Sequence, residues 1–506
     1  MTLRRNREPD GQYPIHEPVT GLEVAATSPR GDAISHPYTS PDHADRNSLA
    51  TDQAFGRAAG ALLIGGNAVE LLRDARENYP AWLEAIASAR YHVHFETYII
   101  RGDAEGMRFA DALIAKAAEG VVVRVLYDWL GAVGNTRPSF WRRLRRAGIE
   151  VRAFNPLDVT DPFALISRDH RKVLTVDGRV AYVSGLCVGA PWVGDTAAGR
   201  EPWRDTGIEL RGPAVTEVER AFARAWAACG TPFDPIATIA PAEVGTVGVR
   251  VIAAEPSTGG LYRLDKIVSA LARRTLWLTD AYFIGGTSYV QALIAAARDG
   301  VDVRLLVPGA SDVPIVGFIS RAGYRALLEG GVRVFEWNGT MLHAKTAVAD
   351  GYWSRVGSTN LNPFSWLGNW ELDVAVENAA FARRMEEMFL SDLQHSTEIV
   401  LGRRFRIAQA GSPESPAQRP AIVSGHGGRA VAGVVGLGNT VASALIRRRP
   451  LGRADVLLLL VGGVLLAALA ALAIEYPRSI AVPFAVLAGW AAVGVLARAY
   501  RIRHAD

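Results

Sequence analysis

The chain has 506 residues, of which 49% are apolar and 21% charged, and its formal net charge is +4. That length allows several domains, and so small a charge does not single out a nucleic acid partner. Two cysteines, Cys187 and Cys229, are too few for a disulfide framework or a zinc centre, so a reducing compartment is the easier reading.

Residues 1–55 are polar, rich in Pro, Asp, Ser and Arg, and lack periodicity, which predicts a disordered tail; charge without an apolar run there gives no sign of a signal peptide. From residue 56 the pattern is globular. Apolar spacing predicts a helix over 70–90, and YHVHFETYII at 91–100 reads as a buried strand. A helix is expected over 108–119, a strand over 121–127, a helix over 140–147 and a strand over 149–154, with Gly120 and Gly148 as breaks. Strands alternating with helices predict parallel pairing under helical cover, and the hairpins described below make the sheet mixed.

The order then repeats. EGVVVRVLYD at 119–128 matches DGVDVRLLVP at 299–308, AGIEVRAFN at 147–155 matches GGVRVFEWN at 330–338, and Glu96 and Tyr98 match Asp280 and Tyr282. The expected architecture is α/β, with two lobes of one design at 56–230 and 249–402, joined by a linker at 231–248. A pseudo-twofold pair of sheets would face each other, so that equivalent sites meet across one cleft. Two copies of this length are too long for a solenoid.

After a Pro-, Ser- and Gly-rich linker at 403–428, the region 429–506 is apolar, and the role of 429–446 stays open. Uncharged runs at 456–474 and 480–497 approach the length needed to span a bilayer. Arg447, Arg448, Arg449 and Arg453 precede them and Arg498, Arg501 and Arg503 follow, with only Arg478 between. The positive-inside bias predicts a transmembrane helical hairpin with both ends, and the lobes, on the cytoplasmic side of the cell inner membrane.

The chemistry-bearing pattern is H-x-K-x4-D, at His170, Lys172 and Asp177 and again at His343, Lys345 and Asp350. Lysine is scarce: Lys116, Lys172, Lys266 and Lys345 are the only four among 55 basic residues, so these two places need a compact ammonium rather than a guanidinium fork. His and Lys two apart share one strand face; Asp177 and Asp350 complete the candidate catalytic set, though Asp177-Gly178 and Asp350-Gly351 are hairpin turn signals that favour a structural role for both aspartates. The returning strands lead to Ser184-Gly185 and to Gly357-Ser358-Thr359-Asn360, where small residues let backbone approach an anion; Ser184, Ser358 and Asn360 are candidate supporting residues. Two imidazoles and two ammonium groups suit a phosphodiester. One ring attacks phosphorus, the other moves the proton, and the lysines neutralise the non-bridging oxygens, with no metal or other cofactor called for. A nucleophilic imidazole needs an acceptor on its second nitrogen, and Asp205 and Glu371, each downstream of a histidine, are assigned that orienting role.

These motifs resemble those of the phospholipase D superfamily over roughly 60–400. FETYI at 95–99, PWRDTGIELRGPAV at 202–215 and SWLGNWEL at 365–372 resemble bacterial cardiolipin synthases in particular. The resemblance implies metal-independent phosphatidyl transfer to an alcohol-bearing phospholipid, with His170 as nucleophile and His343 as acid/base. The expected partners are anionic phospholipids such as phosphatidylglycerol, and a membrane, with no nucleic acid. The chain departs from the family where Ser184-Gly185-Leu186-Cys187 stands in place of G-G-x-N, and where the membrane pair is C-terminal. Hydrolysis of phospholipid headgroups is the alternative; a metal-independent nuclease and a non-catalytic membrane adaptor fit less well. Three further features admit plainer roles. His92, His94 and Glu96 share a strand face and imitate a metal set, but two of the three are apolar in the second copy. Trp353, Trp366 and Trp370 suit either a lipid entrance or core, and the run Arg142, Arg143, Arg145 and Arg146 reads as a solvated helix face.

Overall fold

A computed structural model describes residues 51–157, 167–233, 241–401 and 406–408, with the single positions 482, 489, 490 and 493. Apart from those single positions, the hairpin expected at 456–497 lies outside the described residues. Among the described residues, no helix is long and apolar enough to cross a membrane.

The first lobe runs β1 (Ile64–Arg73), α2 (Asp74–Ser88), β2 (His92–Thr97), α3 (Ala104–Ala118), β3 (Val122–Asp128), α4 (Trp129–Ala132), α5 (Pro138–Arg146), β4 (Glu150–Phe154), β5 (Lys172–Val176), β6 (Val180–Ser184), α6 (Ala190–Val193), β7 (Thr206–Arg211) and α7 (Val215–Ala228), after a helix α1 over 51–59. The second runs β8 (Val247–Ala254), α8 (Gly260–Leu271), β9 (Thr275–Thr279), α9 (Thr287–Arg298), β10 (Asp302–Pro308), α10 (Pro314–Glu329), β11 (Arg333–Trp337), β12 (Thr346–Ala349), β13 (Trp353–Gly357), α11 (Pro363–Leu367), β14 (Glu371–Glu377) and α12 (Ala379–Leu393), with edge strands β15 (Ser396–Val400) and β16 (Arg406–Ala408).

The duplication is visible in strand order. β1-β7-β6-β5-β2-β3-β4 in one lobe corresponds to β8-β14-β13-β12-β9-β10-β11 in the other. In both, the three outer strands pair in parallel and the hairpin strands pair antiparallel, so the sheet is mixed. The lobes do not carry separate sheets, as the repeat alone suggested. Antiparallel pairing of β1 with β8 joins them into one 16-stranded sheet, and a single core draws on both: Val183, Ile208 and Val218 from one, Val356, Val374 and Met385 from the other.

Three local expectations change. Residues 70–73 belong to β1, not to a helix: they pair residue by residue with β7, from Glu70 facing Glu209 to Arg73 facing Thr206, and this ladder outweighs the helix propensity of the Glu-Leu-Leu-Arg end. The helix starts only at Asp74, whose φ of 54° breaks the strand. The last positions of the expected tail, 51–55, are helical, because Phe55, Ala58 and Ala59 lie at helical spacing and insert into the second lobe's core beside Leu261. Arg406–Ala408, inside the stretch read as linker, pairs with β15.

Candidate active site

Both histidine motifs lie at the same end of the sheet, where β2, β6, β9 and β13 finish and β5, β7, β12 and β14 begin: Thr97 faces Lys172, Ser184 faces Gly207, Thr279 faces Thr346 and Gly357 faces Asp373. Two short cross-lobe bridges then hold the segments just ahead of each motif strand. The His170 amide donates to the Trp370 carbonyl at 2.9 Å, and the His343 amide donates to the Arg204 carbonyl at 2.7 Å. Each histidine is therefore pinned to the opposite lobe by its own backbone.

The side chains repeat this crossing. His170 Nδ1 lies 3.0 Å from Glu371 Oε2 and 3.1 Å from Oε1, and His343 Nδ1 lies 2.8 Å from Asp205 Oδ2. Asp205 and Glu371 each lie against an imidazole, but against the ring of the other lobe, not the one upstream of it in sequence. Both carboxylates are fully buried. Ser358 donates its hydroxyl to Glu371 Oε2 at 2.6 Å, and its carbonyl lies 3.1 Å from His170 Nδ1. Asn369 adds a donor to Glu371 Oε1 at 3.2 Å.

Lys172 and Lys345 are buried, and each ammonium donates to the carbonyl of the histidine two residues before it. Tyr98 packs edge-on against His170 with centroids 5.0 Å apart and lies beneath Lys172; Tyr282 does the same at 5.9 Å from His343, beneath Lys345. Asn360 is buried, and its side-chain oxygen has no hydrogen-bond partner among the described residues.

Charges from both halves act on each ring. Burial pushes the His170 imidazole below its ordinary pKa; Glu371 opposes this, while both Lys172 and Lys345 add to it. Burial likewise takes His343 down to about 3, with Lys345 and, across the cleft, Lys172 adding to the fall. Lys345 itself is lowered to about 8, first by burial and then by Lys172 against the pull of Asp205. Burial works to raise Asp205 and Glu371, but His343 and Lys345 in one case, and His170 and Lys172 in the other, hold both below the usual carboxylate range. The free site thus presents neutral imidazoles beside two ammonium groups, an arrangement poised for an anion.

Three residues named from the motif stand elsewhere. Asp177 and Asp350 are not in the cleft. Each begins a two-residue turn with positive φ at both centres (54° and 63°; 53° and 68°), the turn that best matches strand twist. Asp177 accepts from the amides of Arg90, Tyr91 and His92 at 2.8–2.9 Å, and Asp350 from those of Arg273, Arg274 and Thr275 at 2.7–3.0 Å. Seven residues of extended chain put such a turn on the order of 20 Å from its histidine. Ser184 is also misplaced: spacing from the histidine makes Gly185, not Ser184, the counterpart of Ser358, and the Ser184 hydroxyl accepts from Leu186 N at 3.1 Å within its own turn.

The other tempting residues resolve as well. His92 and His94 both turn to Glu219 of α7, at 3.0 and 2.7 Å, rather than joining Glu96, which lies with Arg171 and Asp169. His92, His94 and Glu219 are spaced closely enough to hold a metal ion, yet Arg124 lies 3.3 Å from His94 Nε2, and hydrogen bonds from both rings already meet the carboxylate. Trp353 and Trp366 fill the second lobe's core, whereas Trp370 is half-buried against Phe154 and under Arg171. Arg142, Arg145 and Arg146 are exposed on α5. Trp192, Asn369 and Arg204 were not picked out from sequence; Arg204, next to Asp205, and Asn369, two residues before Glu371, sat close enough to a named residue to be found.

Duplicated lobes that supply one His–Lys pair each to a shared cleft define a phosphodiester-acting enzyme built by gene duplication. A family described as "Cardiolipin synthase, PLD-like domain" matches residues 82–189 and 267–393. The chain is 34% identical over 339 residues to a cardiolipin synthase of Alkalihalophilus pseudofirmus, covering 65% of this chain and 67% of that one. It is 33% identical over 354 residues to cardiolipin synthase A of Pseudomonas aeruginosa, covering 68% and 71%. The fold is shared with a phosphatidylserine synthase of Haemophilus influenzae, at a TM-score of 0.55 and 13% identity over 69% of this chain and 92% of that one. The chain belongs to the phospholipase D superfamily and is cardiolipin synthase-like: a phospholipase D-type phosphatidyltransferase.

Proposed function

We propose that the enzyme moves a phosphatidyl group from one phosphatidylglycerol to the headgroup hydroxyl of another phospholipid, through a phosphohistidine, to give cardiolipin. The observation that carries this reading is the crossed pair of His–carboxylate dyads beside two buried lysines. His170 Nε2 attacks phosphorus while Glu371 takes its Nδ1 proton as a hydrogen-bond partner. The bond from phosphorus to the glycerol oxygen breaks, and His343 delivers a proton to that oxygen. The bound phosphodiester sets its negative charge against Lys172 and Lys345, which raises the proton affinity of His343, so that it takes a proton from solvent as substrate binds and acts as the acid. In the second half the acceptor hydroxyl attacks phosphorus, gives its proton to His343, and the N–P bond breaks to restore His170. Lys172 and Lys345 are the cations available to the non-bridging oxygens, with the amide N–H of Asn360 as a further donor.

The apolar runs at 456–474 and 480–497 anchor this chemistry as a hairpin in the inner membrane, with the lobes on the cytoplasmic face, where a water-poor lipid surface favours transfer over hydrolysis. Lipid extracts of a cardiolipin-deficient host expressing the chain test the reading. New cardiolipin that is lost in His170→Ala supports it; free phosphatidic acid in place of cardiolipin makes the enzyme a hydrolase, and unchanged lipids with folded protein present reject it.

A further inference from the structure

The two dyads are built differently. On the Glu371 side, the second donor to the carboxylate is the Ser358 hydroxyl, on the turn after β13. On the Asp205 side the matching position is Gly185, and no side chain fits there: a Cβ would stand 2.2 Å from Asp205 Oδ1. The missing donor comes instead from α6. The indole Nε1 of Trp192 donates to Asp205 Oδ2 at 3.0 Å, the same oxygen that His343 Nδ1 approaches at 2.8 Å. Trp192 is 1% exposed, and its ring meets His343 edge-on at 5.7 Å. Trp203 packs against both, at 4.8 Å from Trp192 and 5.8 Å from His343.

We infer that Trp192 is a positioning residue for the acid/base histidine, acting through Asp205. Two donors sharing one carboxylate oxygen weaken each other, so the indole limits how tightly Asp205 can hold the His343 Nδ1 proton and how far it can stabilise the imidazolium. It also fixes the carboxylate rotamer that aims His343 at the cleft. That His343 acts as the acid rests on the function proposed above; the indole–carboxylate–imidazole geometry does not.

The test uses the full chain with the Trp192 indole replaced by benzothiophene, an isostere in which sulfur stands for the N–H, and Trp192→Phe as a second variant. With nitrogen-labelled histidine, the His343 Nδ1 proton resonance is expected to move downfield as its bond to Asp205 tightens. The His170 Nδ1 proton, held by Glu371, should stay in place. In the transfer assay kcat is expected to fall about tenfold with KM within about twofold, and the acid limb of the kcat profile to move upward by roughly one pH unit. Unmoved His343 resonances in a folded isostere protein overturn the inference. If wild type shows no transfer while the resonance still moves, the proposed function fails and the positioning role stands.

Discussion

Crossing of the dyads predicts which carboxylate belongs to which step, and Glu371→Gln set against Asp205→Asn tests it. In the attacking transition state His170 gains positive charge about 3.0 Å from the Glu371 carboxylate. At an effective dielectric of about 20, unit charges at that separation interact by roughly 5 kcal/mol. Glutamine keeps an oxygen for the Nδ1 proton but loses the charge, so most but not all of that term disappears. A loss of roughly 3–4 kcal/mol corresponds to a fall of about 10²–10³-fold in kcat. A phosphodiester with a nitrophenolate leaving group separates the steps, because such a group departs without a proton. On that substrate Asp205→Asn and His343→Ala should still form the phospho-enzyme and accumulate it, since breakdown needs the second ring. Glu371→Gln should be as defective in its formation as His170 variants are. Accumulation in Glu371→Gln with none in Asp205→Asn would refute both the crossed assignment and the role of His170 as nucleophile.

The remaining predictions concern the turns and the pH limits. Asp177→Ala and Asp350→Ala each remove three charge-assisted backbone bonds and place Ala at positive φ, and should cost about 2–4 kcal/mol in denaturant unfolding while kcat per folded molecule changes less than about threefold. Lys345, lowered to about 8, should give an alkaline limb in kcat/KM near pH 8 as its cation is lost; Lys345→Arg, less active, should lack that limb below pH 10. His343 binds a proton near pH 6.5 when unfolded but only near 3 when folded, so the unfolded state takes up more protons between those values. Stability should therefore fall as pH drops from about 6.5 toward 3, by up to roughly 1.4 kcal/mol per pH unit, and His343→Asn should flatten that slope in unfolding experiments followed by circular dichroism.

The repeat was readable because duplicated β-strands keep their apolar pattern and because His-x-Lys is rare in a chain with only four lysines. The fold class, the two lobes and the two central histidine–lysine pairs follow from that. Three things did not follow. The 70–73 segment carries helix-forming residues, and only its pairing with β7 makes it a strand. The partner of each imidazole is set by the cross-lobe bridges at Trp370 and Arg204, and no spacing along the chain encodes a contact between residues 138 or 201 positions apart. Trp192 lies on α6, and at the same distance from the second histidine α11 carries Ser365, so the repeat was silent about it.

The crossed arrangement also explains why the lobes are held so firmly together. If each histidine were oriented by its own lobe, a small sliding of one lobe past the other would change only the distance between two intact dyads. Here the same movement pulls Glu371 from His170 and Asp205 from His343 at once. Arg204 ties this geometry to the helical layer: its guanidinium spans both oxygens of Asp392 on α12 at 2.8–3.1 Å and reaches Asp74 at 3.1 Å, while its carbonyl holds the His343 amide. Arg73 reaches Asp392 at 2.8 Å as well. Breaking this buried cluster by Arg204→Met would leave Asp392 and Asp74 with fewer donors, and would act on the chemistry through the distance from His343 to Asp205. The shared sheet, the shared core and this arginine all oppose the one motion that would disarm both halves of the reaction together.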